Sequence, residues 1–194
     1  MATGSIHVEG DGSTLTVNGN IRLGTAGGEG DLFVNNKGTL IVDTIQAGQS
    51  DGGNSRRGFV TVGAGAAMGA TLKADDIVIG HDGGGAGGGS HLHVLGAAGV
   101  SVEVANTLDI GVGGTGEVTV GTTTTLKAGT IRMARGQFGG DLNVDGTVEV
   151  TGSILIGAGD AALIGAGAPA TGTVTVDGGK LTGKFLAVGY TEDA

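Results

Sequence analysis

The feature that most constrains this chain is an alternation of apolar and polar residues that recurs seven times in 194 residues. Each repeat holds three short alternating segments, named here A, B and C, and each segment contributes two apolar residues spaced two positions apart. Side chains two apart in a β-strand point to the same face, so these pairs mark an inward face. Among the proposed inward positions only Gly183 lacks an apolar side chain. The sequence therefore predicts an all-β fold of equivalent units.

The inward pairs follow from aligning the seven repeats. Those of segment A are Ile6/Val8, Leu32/Val34, Val60/Val62, Leu92/Val94, Val118/Val120, Leu142/Val144 and Val174/Val176. Those of segment B are Leu15/Val17, Leu40/Val42, Leu72/Ala74, Val102/Val104, Leu126/Ala128, Val148/Val150 and Leu181/Gly183. Those of segment C are Ile21/Leu23, Ile45/Ala47, Ile77/Ile79, Leu108/Ile110, Ile131/Met133, Ile154/Ile156 and Leu186/Val188.

The repeats begin near residues 4, 30, 58, 90, 116, 140 and 172, so their lengths vary between 24 and 32 residues. The variation is concentrated after segment C, behind a closing residue. The closing residues are Gly24, Gly48, Gly80, Gly111, Ala134, Gly157 and Gly189. Because one repeat cannot bury its own inward face, the repeats must stack on one another. We expect residues 1–194 to form one domain, a single-stranded parallel β-helix (β-solenoid) of about seven three-strand coils. Right-handed winding is expected because parallel crossovers favour that hand.

Composition excludes several other classes. The 45 glycines accompany a single proline, which is incompatible with collagen, and 39% hydrophobic residues argue against disorder. A net charge of −9 argues against a nucleic-acid partner or an anionic membrane surface. The chain has no cysteine, and no apolar run approaches the 18 or so residues of a membrane span, so neither disulfides nor membrane insertion is expected.

Outward positions of segments B and C hold complementary charges. Lys73, Glu103, Lys127 and Glu149 alternate in sign on successive repeats, and Asp109 and Arg132 are set in the same way. Opposite charges on adjacent strands attract, whereas a column of like charges would repel. These columns therefore support the alignment of the repeats and do not by themselves indicate a site.

The outward positions of segment A are less ordinary, because large apolar groups outside an aliphatic core are typical of a contact surface. We predict an interaction face made by Phe33, Phe59, His91, His93, Glu117 and Asp141. Stacked carboxylates on this face resemble the acid pair of sugar-cleaving enzymes. However, no Arg or Lys accompanies His91, Glu117 and Asp141, so a solvated column is favoured. No catalytic residue is assigned, and the chain is not expected to be an enzyme.

Metal ligands are sparse. His91 and His93 project to the same side and could begin a zinc or nickel site if the loop at 83–89 supplied a third ligand. Ordinary surface histidines are the favoured interpretation. The acidic turns at 9–11 and 75–76 leave weak calcium binding as an alternative. The sequence therefore predicts no metal site and no cofactor.

The repeats resemble a known class. Units such as Gly-Thr-Leu-Ile-Val (38–42), Gly-Glu-Val-Thr-Val (116–120) and Gly-Thr-Val-Thr-Val (172–176), with segment C ending in Ile-x-Ile-Gly, look like the Gly-rich passenger repeats of bacterial autotransporters and related surface adhesins. The resemblance covers essentially the whole chain. It implies a right-handed β-helix at the bacterial cell surface or outside the cell, acting in adhesion, matrix or filament assembly.

The two ends of the stack supply a further expectation. The inward positions run from Ile6 to Val188, which leaves little sequence for a cap, and uncapped solenoid ends expose strand edges and core. We therefore predict head-to-tail self-association through Ile6, Val8, Leu15, Leu181, Leu186 and Val188. The predicted function is an extracellular structural or adhesive module that can contact a glycan, host or matrix surface. The alternatives are a polysaccharide-binding or polysaccharide-cleaving β-helix, a phage tail fibre or spike segment, and a cytoplasmic filament.

Overall fold

The structure is a computed structural model that describes residues 3–25, 28–48, 57–64, 69–81, 89–136, 138–157, 159–160, 171–189 and 191–192, with the backbone alone at 159–160 and 191–192. These residues form eighteen β-strands and no helix, so no helix in the described ranges could cross a membrane. The strands are β1 Thr3–Glu9, β2 Thr14–Leu23, β3 Glu29–Asn35, β4 Thr39–Ala47, β5 Arg57–Val62, β6 Thr71–Ile79, β7 Ser90–Val94, β8 Ser101–Ile110, β9 Gly116–Val120, β10 Thr125–Met133, β11 Gly140–Val144, β12 Thr147–Val150, β13 Ser153–Ile156, β14 Gly159–Asp160, β15 Gly172–Val176, β16 Lys180–Thr182, β17 Phe185–Val188 and β18 Thr191–Glu192.

Two parallel sheets account for most of these strands. Sheet 1 has seven strands in the order β1-β3-β5-β7-β9-β11-β15, which are the A segments of successive repeats. Sheet 2 has nine strands: β2, β4, β6, β8 and β10 follow one another, and then β12 with β13, and β16 with β17, continue side by side. A separate two-stranded sheet joins β14 to β18, also in parallel. Each strand therefore pairs with its equivalent one repeat further along the chain.

The pairing register is the one that the sequence alignment predicts. In sheet 1, Ile6 lies opposite Leu32, and the series continues through the equivalent residue of each repeat to Val174. In sheet 2, Leu15 lies opposite Leu40 and the series continues to Leu181. A slip by one residue would turn every inward side chain outward, so this agreement fixes the inward face throughout.

Inward side chains of both sheets form one hydrophobic core. Every proposed inward residue of repeats 2 to 6 is buried, which confirms the assignment of the inward face. The first and seventh repeats differ, because each has a neighbour on one side only. Ile6, Leu15 and Val17 are partly buried, whereas Leu186 and Val188 are exposed. Burial therefore depends on the adjacent repeat, as the stacking argument requires.

The B and C segments differ from the prediction of separate strands. In the first five repeats one strand runs through both segments. The pairing register shifts at the corner in three of the four pairs of these strands, for example between Ala128 and Thr130. One or two residues at the corner do not pair with the neighbouring strand, and pairing continues before and after them. Only in the sixth and seventh repeats does a break, such as Thr151-Gly152, divide the two segments into separate strands.

The closing residues adopt the left-handed backbone conformation. The six closing glycines have φ values from +65° to +83°, and Ala134 at the equivalent place has φ +55°. Ala134 therefore adopts a conformation that is ordinarily left to glycine. Positive φ at this position is a property of the repeat, and the sequence alignment found it through the glycines.

The charged columns on the outer face of sheet 2 form the expected pairs. Lys73 Nζ lies 3.3 Å from Glu103 Oε2, and Lys127 Nζ lies 3.3 Å from Glu149 Oε2. All four side chains are largely exposed, so each pair contributes only a few tenths of a kcal/mol.

Asp109 forms a stronger contact on the same sheet. Its carboxylate accepts two hydrogen bonds from Arg132, from Nε at 2.8 Å and from Nη2 at 2.7 Å. Arg135 Nη1 lies 3.9 Å from the same carboxylate, which is buried. This bidentate pair fixes the strands of repeats 4 and 5 relative to each other.

We predict that Gly111→Ala destabilises the fold far more than Gly189→Ala. Both glycines have left-handed φ, but a Cβ at Gly111 overlaps the backbone oxygen of Gly139, whereas one at Gly189 meets nothing within 4 Å. The expected loss is roughly 2–5 kcal/mol for Gly111→Ala and about 1–2 kcal/mol for Gly189→Ala. Urea unfolding of dilute protein measures both, and equal losses would contradict the packing assigned to Gly111.

Candidate functional site

The predicted interaction face lies on the outer side of sheet 1 and consists of two columns of side chains. They point outward because they alternate with the buried inward residues of the same strands. The first column is Ser5, Asp31, Phe59, His91, Glu117, Asp141 and Thr173. The second column is His7, Phe33, Thr61, His93, Thr119, Asn143 and Thr175.

Three predicted residues form a continuous contact in the first column. The rings of Phe59 and His91 stack with centroids 5.4 Å apart and an interplanar angle of 1°. His91 Nδ1 lies 2.9 Å from Glu117 Oε2 on the next strand. His91 Nδ1 makes no hydrogen bond to the described residues, so this approach is a close electrostatic contact. The column thus joins an apolar ring to a carboxylate through one histidine.

Neutral donors hold the Glu117 carboxylate in place. Its Oε1 accepts a hydrogen bond from Asn143 Nδ2 at 3.2 Å and another from Thr119 Oγ1 at 3.4 Å. Both donors belong to the second column, so the two columns are linked at this point. Asp141 lies opposite Glu117 on the next strand but is exposed. Glu117 is therefore the fixed acidic group of the face.

His93 lies in the second column beside His91, with ring centroids 5.5 Å apart and an interplanar angle of 54°. Desolvation lowers the pKa of His93, and the neighbouring His91 lowers it further, while Glu117 acts in the opposite direction. The neutral imidazole is therefore favoured at this position.

A second cluster contains Phe33 and lies where the first and second repeats meet. Its ring stacks on His7 with centroids 4.7 Å apart and an interplanar angle of 23°. His7 Nδ1 lies 3.3 Å from Glu9 Oε1, which also accepts a hydrogen bond from Asn35 Nδ2 at 3.3 Å. The hydrogen bond from Asn35, followed by that from His7, lowers the pKa of the Glu9 carboxyl.

The predicted interaction face therefore consists of two separate clusters. Phe33 lies opposite Thr61 and Phe59 lies opposite Asp31, so the two phenylalanines are diagonal neighbours in different columns. Each stacks on a histidine of an adjacent strand, which covers one face of each ring. His7 was not among the predicted site residues, although its place in the column of Phe33 could have revealed it.

The described part of the chain supplies no third ligand for a metal site at His91 and His93. Residues 82–88, which include most of the loop expected to supply that ligand, lie outside the described residues. Within the described ranges no three His, Asp or Glu side chains are grouped so that they could hold a metal ion. The acidic turns use their carboxylates otherwise: Asp11 Oδ2 pairs with Lys37 Nζ at 2.8 Å, and Asp76 Oδ1 accepts a hydrogen bond from Thr107 N at 3.0 Å.

The two ends of the sheets form the other predicted site. Strands β1 and β2 at one end, and β15, β16 and β17 at the other, are the edge strands of the two sheets. Leu186 is 59% exposed and Val188 is 73% exposed. Val176 and Phe185 are also exposed at this end and were not among the predicted end residues.

Not every predicted end residue is available for contact. Val8 is buried within the chain, at 5% exposure, and Ile6, Leu15 and Leu181 are partly buried. The apolar surface is therefore unequal at the two ends. It is largest on the face formed by the seventh repeat.

No protein family, curated protein or solved structure matches this chain. Function is therefore inferred from the chain's own residues. The features that carry most weight are the exposed inward residues of the seventh repeat and the outer face of sheet 1.

We predict that acid weakens the fold in part through His93. The lowered pKa means that, below the ordinary histidine pKa of about 6.5, the unfolded chain binds a proton that the folded chain does not. Stability is thus lost as the pH falls through this value towards the lowered one. His93→Asn should reduce the difference in urea midpoint between pH 7.5 and pH 5.5. An unchanged difference would contradict this role.

Proposed function

We propose that this chain is an extracellular or cell-surface structural module of bacterial origin, and that copies of it assemble end to end. The proposed architecture is a right-handed single-stranded parallel β-solenoid of seven coils that forms one domain. Two parallel sheets in which each strand pairs with its equivalent one repeat on support it. With strands about 4.8 Å apart, seven coils extend about 34 Å.

The observation that carries the proposal is the exposure of the seventh repeat. Leu186 and Val188 occupy inward positions that are buried in the interior repeats, yet they are 59% and 73% exposed. Complete burial of a Leu or Val side chain contributes about 1.5–3 kcal/mol, so a further repeat placed on this end would be stabilised. Unpaired backbone groups of the edge strands favour the same contact. A second copy presents a suitable surface, because its first repeat has the same inward pattern.

End-to-end contacts of this kind are heterologous: one surface binds a different surface on the next copy. Such contacts build an open filament unless rotation closes the assembly into a ring. A rigid, acidic filament with variable loops is suited to a surface layer or matrix. The resemblance to autotransporter passenger repeats and adhesins supports the same location and role.

We expect the purified chain to form filaments that are visible by negative-stain electron microscopy, with a mass that rises with concentration in sedimentation. Val188→Asp should abolish assembly yet leave a folded monomer, because this side chain is exposed in the single chain. The matched control is Ile41→Asp, which alters another exposed aliphatic residue on the outer face of sheet 2, at 42% exposure.

A strictly monomeric chain across a wide concentration range would refute end-to-end assembly. Equal loss of assembly in Ile41→Asp would show that the effect is not specific to the end. A discrete trimer would instead favour a phage fibre or spike segment.

Polysaccharide binding is the second candidate, and the contact from Phe59 through His91 to Glu117 favours it. This contact places an aromatic ring, an imidazole and a fixed carboxylate on one accessible face. Polar groups of that kind can form hydrogen bonds with sugar hydroxyls, and an aromatic ring can pack against sugar C–H groups. In this function the face would recognise a glycan at the cell or matrix surface.

If the face binds glycan, retention on acidic or neutral polysaccharide should fall in Phe33→Ala combined with Phe59→Ala. Phe185→Ala removes an exposed ring at the end of the stack and should leave retention unchanged. Absence of retention by the unaltered chain would dismiss this candidate. Release of soluble sugar that Asp141→Asn abolishes would reassign the face to glycan cleavage.

A further inference from the structure

Resting on the end-to-end assembly proposed above, we infer that the junction between two copies continues the sheets in register, with residues 172–176 of one copy paired to residues 4–8 of the next. The register follows from the series of equivalent positions that runs through the chain from Gly4 to Gly172. In sheet 2, residues 180–183 then lie opposite 14–17, and residues 185–188 opposite 20–23.

A close backbone contact recurs wherever two interior repeats meet. The residue that opens each repeat packs against the closing residue of the repeat before it. A Cβ added to the opening glycine would lie within 2.7–3.4 Å of the closing residue's amide nitrogen. This holds for Gly30 with Gly24, Gly58 with Gly48, Gly116 with Gly111, Gly140 with Ala134 and Gly172 with Gly157. In the fourth repeat the opening residue is Ser90, which is fully buried.

Both halves of this contact are present at the ends of the chain, and neither is used. Gly4 opens the first repeat, and a Cβ there would meet nothing within 4 Å. Gly189 closes the seventh repeat, and a Cβ there would also meet nothing within 4 Å. The described residues thus carry an opening glycine at one end and a closing glycine at the other. A second copy in register brings the two together as Gly157 meets Gly172.

A cleft of about 420 Å³ beside Gly4 fits this arrangement. It is lined by Thr3–Ile6, Arg22–Thr25 and Gly28–Asp31. Within the chain, a closing residue also approaches the start of the second strand further on: a Cβ at Gly24 would lie 2.5 Å from Arg57 O. By the same geometry, Gly189 of a preceding copy would contact Gly4 and Glu29. Both residues are walls of the cleft.

The path of the chain after the seventh repeat is compatible with this contact. Thr191–Glu192 pairs in parallel with Gly159–Asp160, so the backbone leaves the seventh repeat beside the backbone that leaves the sixth. The segment that joins the sixth repeat to the seventh, residues 158–171, is long, yet the seventh repeat still pairs with the sixth. The backbone at Thr191–Glu192 therefore lies one repeat on from the backbone that precedes the seventh repeat.

In this register few charged residues of one copy lie opposite charged residues of the next. Thr173 lies opposite Ser5, Thr175 opposite His7, and Lys180 opposite Thr14. One like-charged pair arises, because Asp177 follows Val176 and therefore lies opposite Glu9. Within the chain, Asp177 already lies one repeat from Asp145, so the backbone accommodates neighbouring acids at this corner. The pair offers a direct probe of the register.

Disulfide trapping tests the junction, and the chain has no cysteine of its own. In the proposed register, Ser5→Cys and Thr173→Cys lie one strand spacing apart, about 4.8 Å, within the disulfide Cα range of about 4.4–6.8 Å. Inside one chain they are six strands apart, so only links between copies can form. Mild oxidation should give a ladder of covalent oligomers on a non-reducing gel.

The matched control combines Ser5→Cys with Thr175→Cys, whose diagonal separation of about 7–8 Å is too long for a disulfide. Filaments in which only the control pair links would overturn the register while leaving end-to-end assembly intact. Neither filaments nor links for any pair would overturn the assembly itself. Dimers from Ser5→Cys alone would indicate head-to-head contact and would also overturn the proposal.

A gain-of-function variant separates the register from effects on folding. Asp177→Lys turns the like-charged pair with Glu9 into an attractive one and should lower the concentration needed for assembly several-fold. Asp75→Lys changes the net charge equally at an exposed corner of the third repeat, away from both ends. Equal effects of the two variants would overturn the proximity of Asp177 and Glu9.

Discussion

Parallel pairing of each strand with its own equivalent, one repeat later, is the constraint on which the rest of this structure depends. It converts a short alternating sequence into columns of identical environment. Leu32, for example, is buried between its counterparts Ile6 and Val60. The core is therefore a shared property of neighbouring repeats, because a single repeat has nothing to pack against. This pairing also requires complementary charges on the outer faces of the sheets and a left-handed backbone at each closing residue.

Most of the fold could be predicted because the period of two in the side chains is visible in each repeat, and because seven repeats reinforce one another. The inward assignment of residues such as Val60 and Ile131 required no knowledge of distant contacts. The merging of segments B and C into one strand was not predictable in this way. It depends on whether backbone hydrogen bonding survives a corner, and apolar alternation reports only on side-chain direction.

The outer face of sheet 1 was likewise predictable only in part. Column membership placed Phe59, His91 and Glu117 on successive strands, and the structure brings these three into contact. The stacking of His7 on Phe33 depends on side-chain rotamers, and so do the contacts of Arg132 and Arg135 with Asp109. Neither is encoded in a periodic pattern. The burial of Val8 likewise depends on the local path of the chain, which decides whether a position at the end is buried or exposed.

The left-handed closing residue has a consequence for how such a chain can change over evolutionary time. The largest length differences between repeats fall between one closing residue and the next opening residue, and smaller ones fall between segments A and B. The pairing register of the strands on either side stays the same. Residues can thus be gained or lost at these two turns without displacing any ladder hydrogen bond. A whole repeat, from one opening residue to the next, can be duplicated or deleted on the same terms. The molecule is accordingly free to diversify at these turns while the strands of each repeat are held nearly constant.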